Sequence, residues 1–371
     1  MTKSNAENEY IKRAYFQHLR GARGRSPDTI AMAAAAIHQF ERSTGHRSFK
    51  KFHIEQASAF GRMLGDQRTA RDGKPLSKAT ISQTLNAVRK FILWLAEQPG
   101  YRSRVRYSDA DYFRLTEKDE RAARASNDRR VPTPAQIEIV LERRPTVTVL
   151  DRRNRAMIAF TWLTGVRDGA LVSLKLKHVD VAQQRVNQDP REVQTKNSKH
   201  IRTTFFPVGG AARDIVEKWI LELRETHLWG ADDPLFPATA LEQGEDRQFR
   251  ARGIARKHWT TADAARKIFK QSFEAIGLHG FNPHSFRHAL AVLGEQRCKT
   301  PEEFKAWSQN LGHENVATTL SSYGTVPEHR QSEIIKALVV QEMVSDAANS
   351  LAARVAELVR KELVCRQAKA S

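Results

Sequence analysis

Between Pro99 and Arg130 the apolar periodicity of this chain lapses, and no other feature constrains its fold as strongly. Helical patterning precedes the lapse. After it, Val131-Pro132-Thr133-Pro134 restarts ordered structure, with Thr133 as N-cap and Pro134 at the first helical position, where proline's missing N–H is harmless. A chain of 371 residues interrupted in this way predicts two domains of ordinary size. We read residues 1–104 as a helical N-terminal domain and 105–130 as a basic linker. Residues 131–330 form a second domain, and 331–371 a helical tail.

The expected class is mainly α with a small antiparallel β-sheet. In the first domain, Ser26-Pro27 opens a helix carrying Ile30, Ala34, Ile37 and Phe40 on one face, and residues 53–67 suit a short helix. The clearest helix starts after Ser77, where Ile81, Leu85, Val88, Ile92 and Leu95 recur at three- and four-residue steps. In the second domain, 152–164 is an apolar helix ending at Thr164-Gly165, and 167–176 resumes helically. Residues 184–208 change period, with Asn197-Ser198 as the turn of a small antiparallel sheet. Residues 238–258 read as a surface loop, and helices return over 261–277, 285–296 and 301–310.

Lysine and arginine number 61 against 42 acidic residues, a net charge of +19, which points to polyanionic partners. Residues 1–130 hold 26 basic and 14 acidic side chains, so most of the excess falls in a third of the length. That concentration favours a domain gripping nucleic acid over charge spread for solubility. Lys78, Arg89 and Lys90 on the Ser77 helix, with Arg102, Arg104 and Arg106 after it, are the candidate DNA contacts. The two cysteines, Cys298 and Cys365, lack metal-ligand spacing and are too few for a disulfide framework. No apolar run approaches the roughly 18 residues that span a bilayer, and the N-terminus carries no export signal. A cytoplasmic protein without metal or cofactor is expected, and no aromatic-rich RNA-recognition string is visible.

The second domain carries an ordered set of groups suited to a phosphodiester. Arg167 follows Thr164-Gly165-Val166, Lys196 opens Lys-Asn-Ser-Lys, and His284 and Arg287 lie in His-Ser-Phe-Arg. His313 closes Leu-Gly-His, and Tyr323 follows ten residues later. Arginine's planar fork donates two parallel hydrogen bonds to phosphate oxygens and stays charged. A lysine can protonate a leaving alkoxide, with Lys199 a close competitor of Lys196 for that task, and the histidines can exchange protons near neutral pH. Tyrosine is a poor nucleophile unless its anion is stabilised, which clustered cations provide. Tyr323 is the only tyrosine after Tyr112.

This set, in this order, resembles the tyrosine recombinases of the phage integrase family, over about residues 8–325. The resemblance implies a core DNA-binding domain followed by a catalytic domain using Arg167, Lys196, His284, Arg287, His313 and the nucleophile Tyr323. It also implies cleavage and rejoining of double-stranded DNA through a 3′-phosphotyrosine intermediate, by a tetramer on two DNA sites, with accessory proteins allowed. The output would be integration, excision or resolution of a mobile element. Two rivals are a non-catalytic DNA-binding protein retaining the fold and a relaxing enzyme like the type IB topoisomerases. The chain departs from the family pattern in two places. Ala170 stands where an acidic residue usually follows the first arginine, with Asp168 nearby, and the interval from His313 to Tyr323 is one residue longer than usual. In the tail, Val344, Ala348, Leu351, Val355 and Leu358 form an apolar seam suited to a partner helix in subunit assembly.

Overall fold

Side-chain caps set most of the helix starts in this protein. In the computed structural model, which describes residues 5–69, 73–124, 130–320, 331–333 and 335–336, the chain divides into two units, within residues 1–126 and 127–371.

The first unit is helical: α1 (Ala6–Gly21), α2 (Pro27–Ser43), α3 (Ile54–Asp66), α4 (Lys78–Leu95) and α5 (Glu117–Arg124). The Ser26 and Ser77 side chains accept from the Thr29 and Thr80 backbone N–H groups, so α2 and α4 begin where the sequence places them. Their apolar faces meet a core centred on Phe40, whose ring stands edge-on to Phe60 at 5.3 Å and to Phe113 at 5.2 Å. A buried polar knot joins α1 to α2. Glu41 accepts from Lys12 at 2.5 Å and from the Asn8 side chain at 2.8 Å, so this buried carboxylate is fully matched.

The segment read as a basic linker is folded up to Arg124. Residues Tyr107–Tyr112 form a 3₁₀ helix, and Val105, Ala110 and Phe113 are buried in the core of the first unit. A 3₁₀ turn repeats every three residues, so its apolar positions fall outside the 3.6-residue pattern by which helices are recognised.

The second unit begins with α6 (Pro134–Arg143), α7 (Val149–Thr164) and the single turn α8 (Asp168–Leu171). Thr133 and Gln136 form a reciprocal capping box at the start of α6, as Thr148 and Asp151 do at α7. Every residue from Ala156 to Thr164 is buried, so the second half of α7 is enclosed by the core on all sides. The helix at Arg167 is shorter than the 167–176 expected. The Ser173 hydroxyl donates back to the Gly169 and Ala170 carbonyls, a local bond that competes with helix propagation.

An antiparallel sheet follows in the order β1 (Val179–Asp180), β2 (Arg185–Gln188), β3 (Ile201–Thr204), pairing Arg185 with Thr204 and Gln188 with Ile201. After α9 (Gly210–Leu221), the stretch expected to be a loop is instead a hairpin, β4 (Ala238–Gln243) with β5 (Phe249–Ala255). Most of its residues are exposed on both faces, and a bulge between Ala240 and Leu241 shifts the register. The alternation that marks a half-buried strand is therefore missing. The unit continues with α10 (Asp263–Glu274), α11 (Pro283–Arg297), α12 (Pro301–Asn310) and α13 (Val316–Leu320). The result is mainly helical with small antiparallel sheets. The tail positions Val344, Ala348, Leu351, Val355 and Leu358 lie outside the described residues.

Candidate active site

Two tight turns and one helix start converge in the second unit. α7 ends on Gly165, which adopts φ +58°. A Cβ there would come within 2.8 Å of the Leu311 side chain and 3.0 Å of Leu290, so glycine is required by backbone and space together. Two residues on, Arg167 occupies the N-cap position of α8. The second turn is Leu311-Gly312-His313, closed by the His313 N–H donating to the Ser308 carbonyl at 3.2 Å. The helix start belongs to α11, where the Asn282 side chain caps Ser285 and Pro283 takes the first position. His284, Arg287 and His288 then share one helix face, with the two imidazoles 4.6 Å apart edge to face.

Arg287 ties these pieces together. Its side chain is buried, with Nη1 donating to the Gly165 carbonyl and Nη2 to the Leu311 carbonyl at 2.7 Å. Nη2 also lies 3.0 Å from His313 Nε2. Burial, with Arg167 nearby, presses the Arg287 guanidinium down to about 9, which still leaves it charged at neutral pH. Burial also lowers Arg167, whose side chain donates no hydrogen bond to a described residue. Arg167, with its donors uncommitted, and Arg287, close enough to feel its charge, have the donor chemistry that suits a phosphate.

His313 sits among these charges. Desolvation lowers its pKa to about 4, with Arg287, Arg167, His288 and His284 adding repulsion, so the ring is neutral at pH 7 in the free protein. The structure therefore brings Arg167, His284, Arg287 and His313 together, with His288 beside them. Lys196 is placed differently. It opens an exposed turn between β2 and β3 in which Asn197 and Ser198 have φ of 58° and 50°, and it makes no ion pair with a described residue. Lys199, its competitor, is half-buried and paired with Glu314 at 3.4 Å. The hairpin rests on the histidine turn, since a Cβ on Gly312 would come within 3.0 Å of Ile201 of β3. Tyr323 lies outside the described residues.

Several site groups were not legible in the sequence. The Gly165 and Leu311 carbonyls carry no side-chain signal at all. Thr319 Oγ1, 2.7 Å from His313 Nδ1, sits on a helical turn too short for periodicity to reveal. Ala170 is buried in the core, and the nearby Asp168 accepts from Arg266 at 2.6 Å. Asp168 is thus taken up by a salt bridge at the rim.

Residues 133–329, more than half of the chain, match the profile of the Phage integrase family. The chain belongs to that family. Among curated relatives, the tyrosine recombinase XerC of Roseiflexus sp. (strain RS-1) is 24% identical over 312 residues, spanning 82% of this chain and 86% of that one. The tyrosine recombinase XerD of Oceanobacillus iheyensis is 26% identical over 327 residues, spanning 84% and 92%. Among solved structures, the fold is similar to XerH site-specific recombinase bound to palindromic difH substrate, with TM-score 0.57 and 15% identity over 91% of this chain and 84% of that one. A lambda integrase dimer bound to a COC' core site gives TM-score 0.54 and 14% identity, covering 86% and 96%.

The six basic candidates in the first unit of this phage integrase family member fall into two groups. Lys78 pairs with Asp119 at 3.0 Å and Arg89 with Asp111 at 3.3 Å, so both charges are partly neutralised within the unit. Lys90, Arg102, Arg104 and Arg106 are exposed. Lys90 also lines a groove between α1, α2 and α4 together with Arg23, Arg25, Gln83, Asn86 and Trp94. The sequence reading did not single out the last five, because two of them, Arg23 and Arg25, lie in the loop between α1 and α2 and meet the α4 residues only in the folded unit. Cationic and amide side chains in one groove suit phosphates and base edges.

Proposed function

We propose that this protein is a site-specific recombinase that cleaves and rejoins double-stranded DNA by transesterification, with Tyr323 as nucleophile. The observation that carries the reading is Arg287, buried yet charged, pinned to two turn carbonyls beside Arg167 and His313, within the segment that defines the family.

In this reading Arg167 and Arg287 hold the non-bridging oxygens of the scissile phosphate and stabilise the charge that develops there. The Tyr323 phenolic oxygen attacks phosphorus, forming a 3′-phosphotyrosine bond as the P–O5′ bond breaks. The phenolic proton passes to an imidazole: His313 is neutral, and the phosphate's charge offsets the arginines that depress its basicity, while His284 donates to the phosphate. Lys196 protonates the departing 5′-oxygen. It is preferred over Lys199, whose charge is already committed to Glu314. Rejoining is the same path in reverse, with a 5′-hydroxyl displacing the tyrosine, so the phosphodiester energy is conserved in the covalent bond. The first unit grips the flanking duplex through Lys90, Arg102, Arg104 and Arg106 together with the groove of α1, α2 and α4.

The finer reading is a cytoplasmic enzyme that assembles as a tetramer on two DNA sites and integrates, excises or resolves a mobile element. Among the described residues, no helix is long and apolar enough to cross a membrane. The decisive experiment uses a nicked suicide substrate. The wild type should form a protease-sensitive protein–DNA adduct whose modified peptide contains Tyr323. Tyr323→Phe should bind the DNA and form none. Equal adduct from the Phe variant, or an adduct on another residue, would overturn the mechanism. Absence of any adduct with the wild type would favour a non-catalytic DNA-binding protein.

A further inference from the structure

We propose that Thr319 is a positioning residue: its hydroxyl, held by Ser308, fixes the tautomer of His313 so that the Nε2 lone pair faces the phosphate site. This rests on the function proposed above and assigns a role to a side chain outside the set of six.

The direction of every hydrogen bond around His313 can be worked out from which groups only donate. Arginine has no acceptor, so at the 3.0 Å contact with Arg287 Nη2 the imidazole Nε2 must accept. A neutral ring with a bare Nε2 carries its proton on Nδ1. That nitrogen lies 2.7 Å from Thr319 Oγ1, which therefore accepts its hydrogen bond. The Thr319 O–H must then point elsewhere, and Ser308 Oγ lies 2.6 Å away. Thr319 and Ser308 are both fully buried, so neither hydroxyl has bulk water as an alternative partner. The chain Arg287, His313, Thr319, Ser308 thus has one consistent polarity.

The surroundings support the same assignment. The charged and titratable groups near His313 are Arg287, His284 and His288 from α11 and Arg167 before α8. Glu314, the neighbouring residue, is paired with Lys199 from the hairpin. The cationic groups keep the free imidazole neutral. A phosphate arriving between the arginines would draw Nη2 of Arg287 to itself and leave Nε2 open to accept a proton. Thr319 can accept the Nδ1–H before and after that proton arrives, so the ring need not turn during the reaction. Preserved ring orientation is what a hydrogen-bonded partner of a reactive imidazole supplies, and the comparable loss of a partner to a metal-binding histidine costs about 10–100-fold, which sets the scale expected here.

The test uses the full chain with ¹⁵N-labelled histidine, the His313 signals being assigned by their loss in His313→Gln. At pH 7 the wild type should show His313 protonated at Nδ1 and bare at Nε2. Thr319→Val keeps the side-chain shape and removes the hydroxyl. It should shift His313 toward the other tautomer, slow suicide-substrate cleavage by about 10–100-fold, and leave DNA binding unchanged. Thr319→Ser should restore both tautomer and rate. An unchanged tautomer in Thr319→Val, or a Ser variant as slow as the Val variant, overturns the proposal. If Thr319→Val fails to fold, Ser308→Ala takes its place, with an expected slowing of a few-fold and full rate counting against the idea. The tautomer is read without DNA. A wild type that forms no adduct would therefore defeat the recombinase mechanism without touching this measurement.

Discussion

The candidate DNA-contacting cations of the two units are held in opposite ways. In the second, Arg287 is buried, its donors are directed by the carbonyls of two separate turns, and Arg167 and the histidines lie within electrostatic reach. In the first, Lys90, Arg102, Arg104 and Arg106 are exposed and make no ion pair with a described residue. A buried, oriented cation acts at one atom and is irreplaceable. An exposed cation adds to a field and is interchangeable with its neighbours. The difference separates chemistry from grip, and it can be tested at both ends.

The largest effect is expected at Arg287. Arg287→Lys should slow strand cleavage by at least roughly a hundred- to a thousandfold, because lysine lacks the fork that reaches two carbonyls and a phosphate at once. Single-turnover cleavage measures it, and near-normal activity would erase the contrast between the units. Lys196 comes next. Lys196→Ala should cleave a normal phosphodiester about a hundredfold more slowly and recover on a substrate with a better 5′ leaving group. Recovery in Lys199→Ala instead would transfer the role to that lysine.

A smaller effect tests the other side. Lys90→Ala or Arg102→Ala alone should weaken DNA binding only a few-fold, equally for all sequences, and reduce the salt slope by about 1. A loss restricted to one DNA sequence would show that the exposed residue reads bases. The smallest effect concerns stability of the free protein. The folded His313 has a pKa of about 4 against an ordinary 6.5, so between those values the unfolded chain binds a proton that the folded chain refuses. Stability therefore falls as pH drops through that window. His313→Gln should lose less thermal stability between pH 7 and pH 5 than the wild type, by a few degrees at most. Parallel curves would mean the ring is not desolvated as the structure places it.

Much of this was legible in the sequence because it is local. Ser26, Ser77 and Thr133 are caps whose partners lie within three residues, and α4 shows its buried face by spacing alone. His284 and Arg287 share a helix face by the same arithmetic. Non-local facts were hidden. No spacing rule pairs Lys78 with Asp119, Lys199 with Glu314, or Arg287 with the Gly165 carbonyl 122 residues away. The β4–β5 hairpin escaped for another reason. Most of its side chains are exposed on both faces, so burial left no imprint on its sequence.

Strand β3 lies at the edge of its sheet, where unpaired backbone groups invite a strand from another molecule. Asn310, at the end of α12, covers that edge. Its side-chain oxygen accepts from the Thr204 N–H at 2.7 Å, and its nitrogen donates to the Thr204 carbonyl at 2.8 Å, so one amide side chain stands in for a fourth strand. The same stretch of backbone carries Ile201 against Gly312. The tetramer proposed above would hold several copies at high local concentration, where exposed strands could zip together. Asn310 closes that edge a few residues from the groups proposed to cut DNA, so such an assembly would meet there a strand that is already capped.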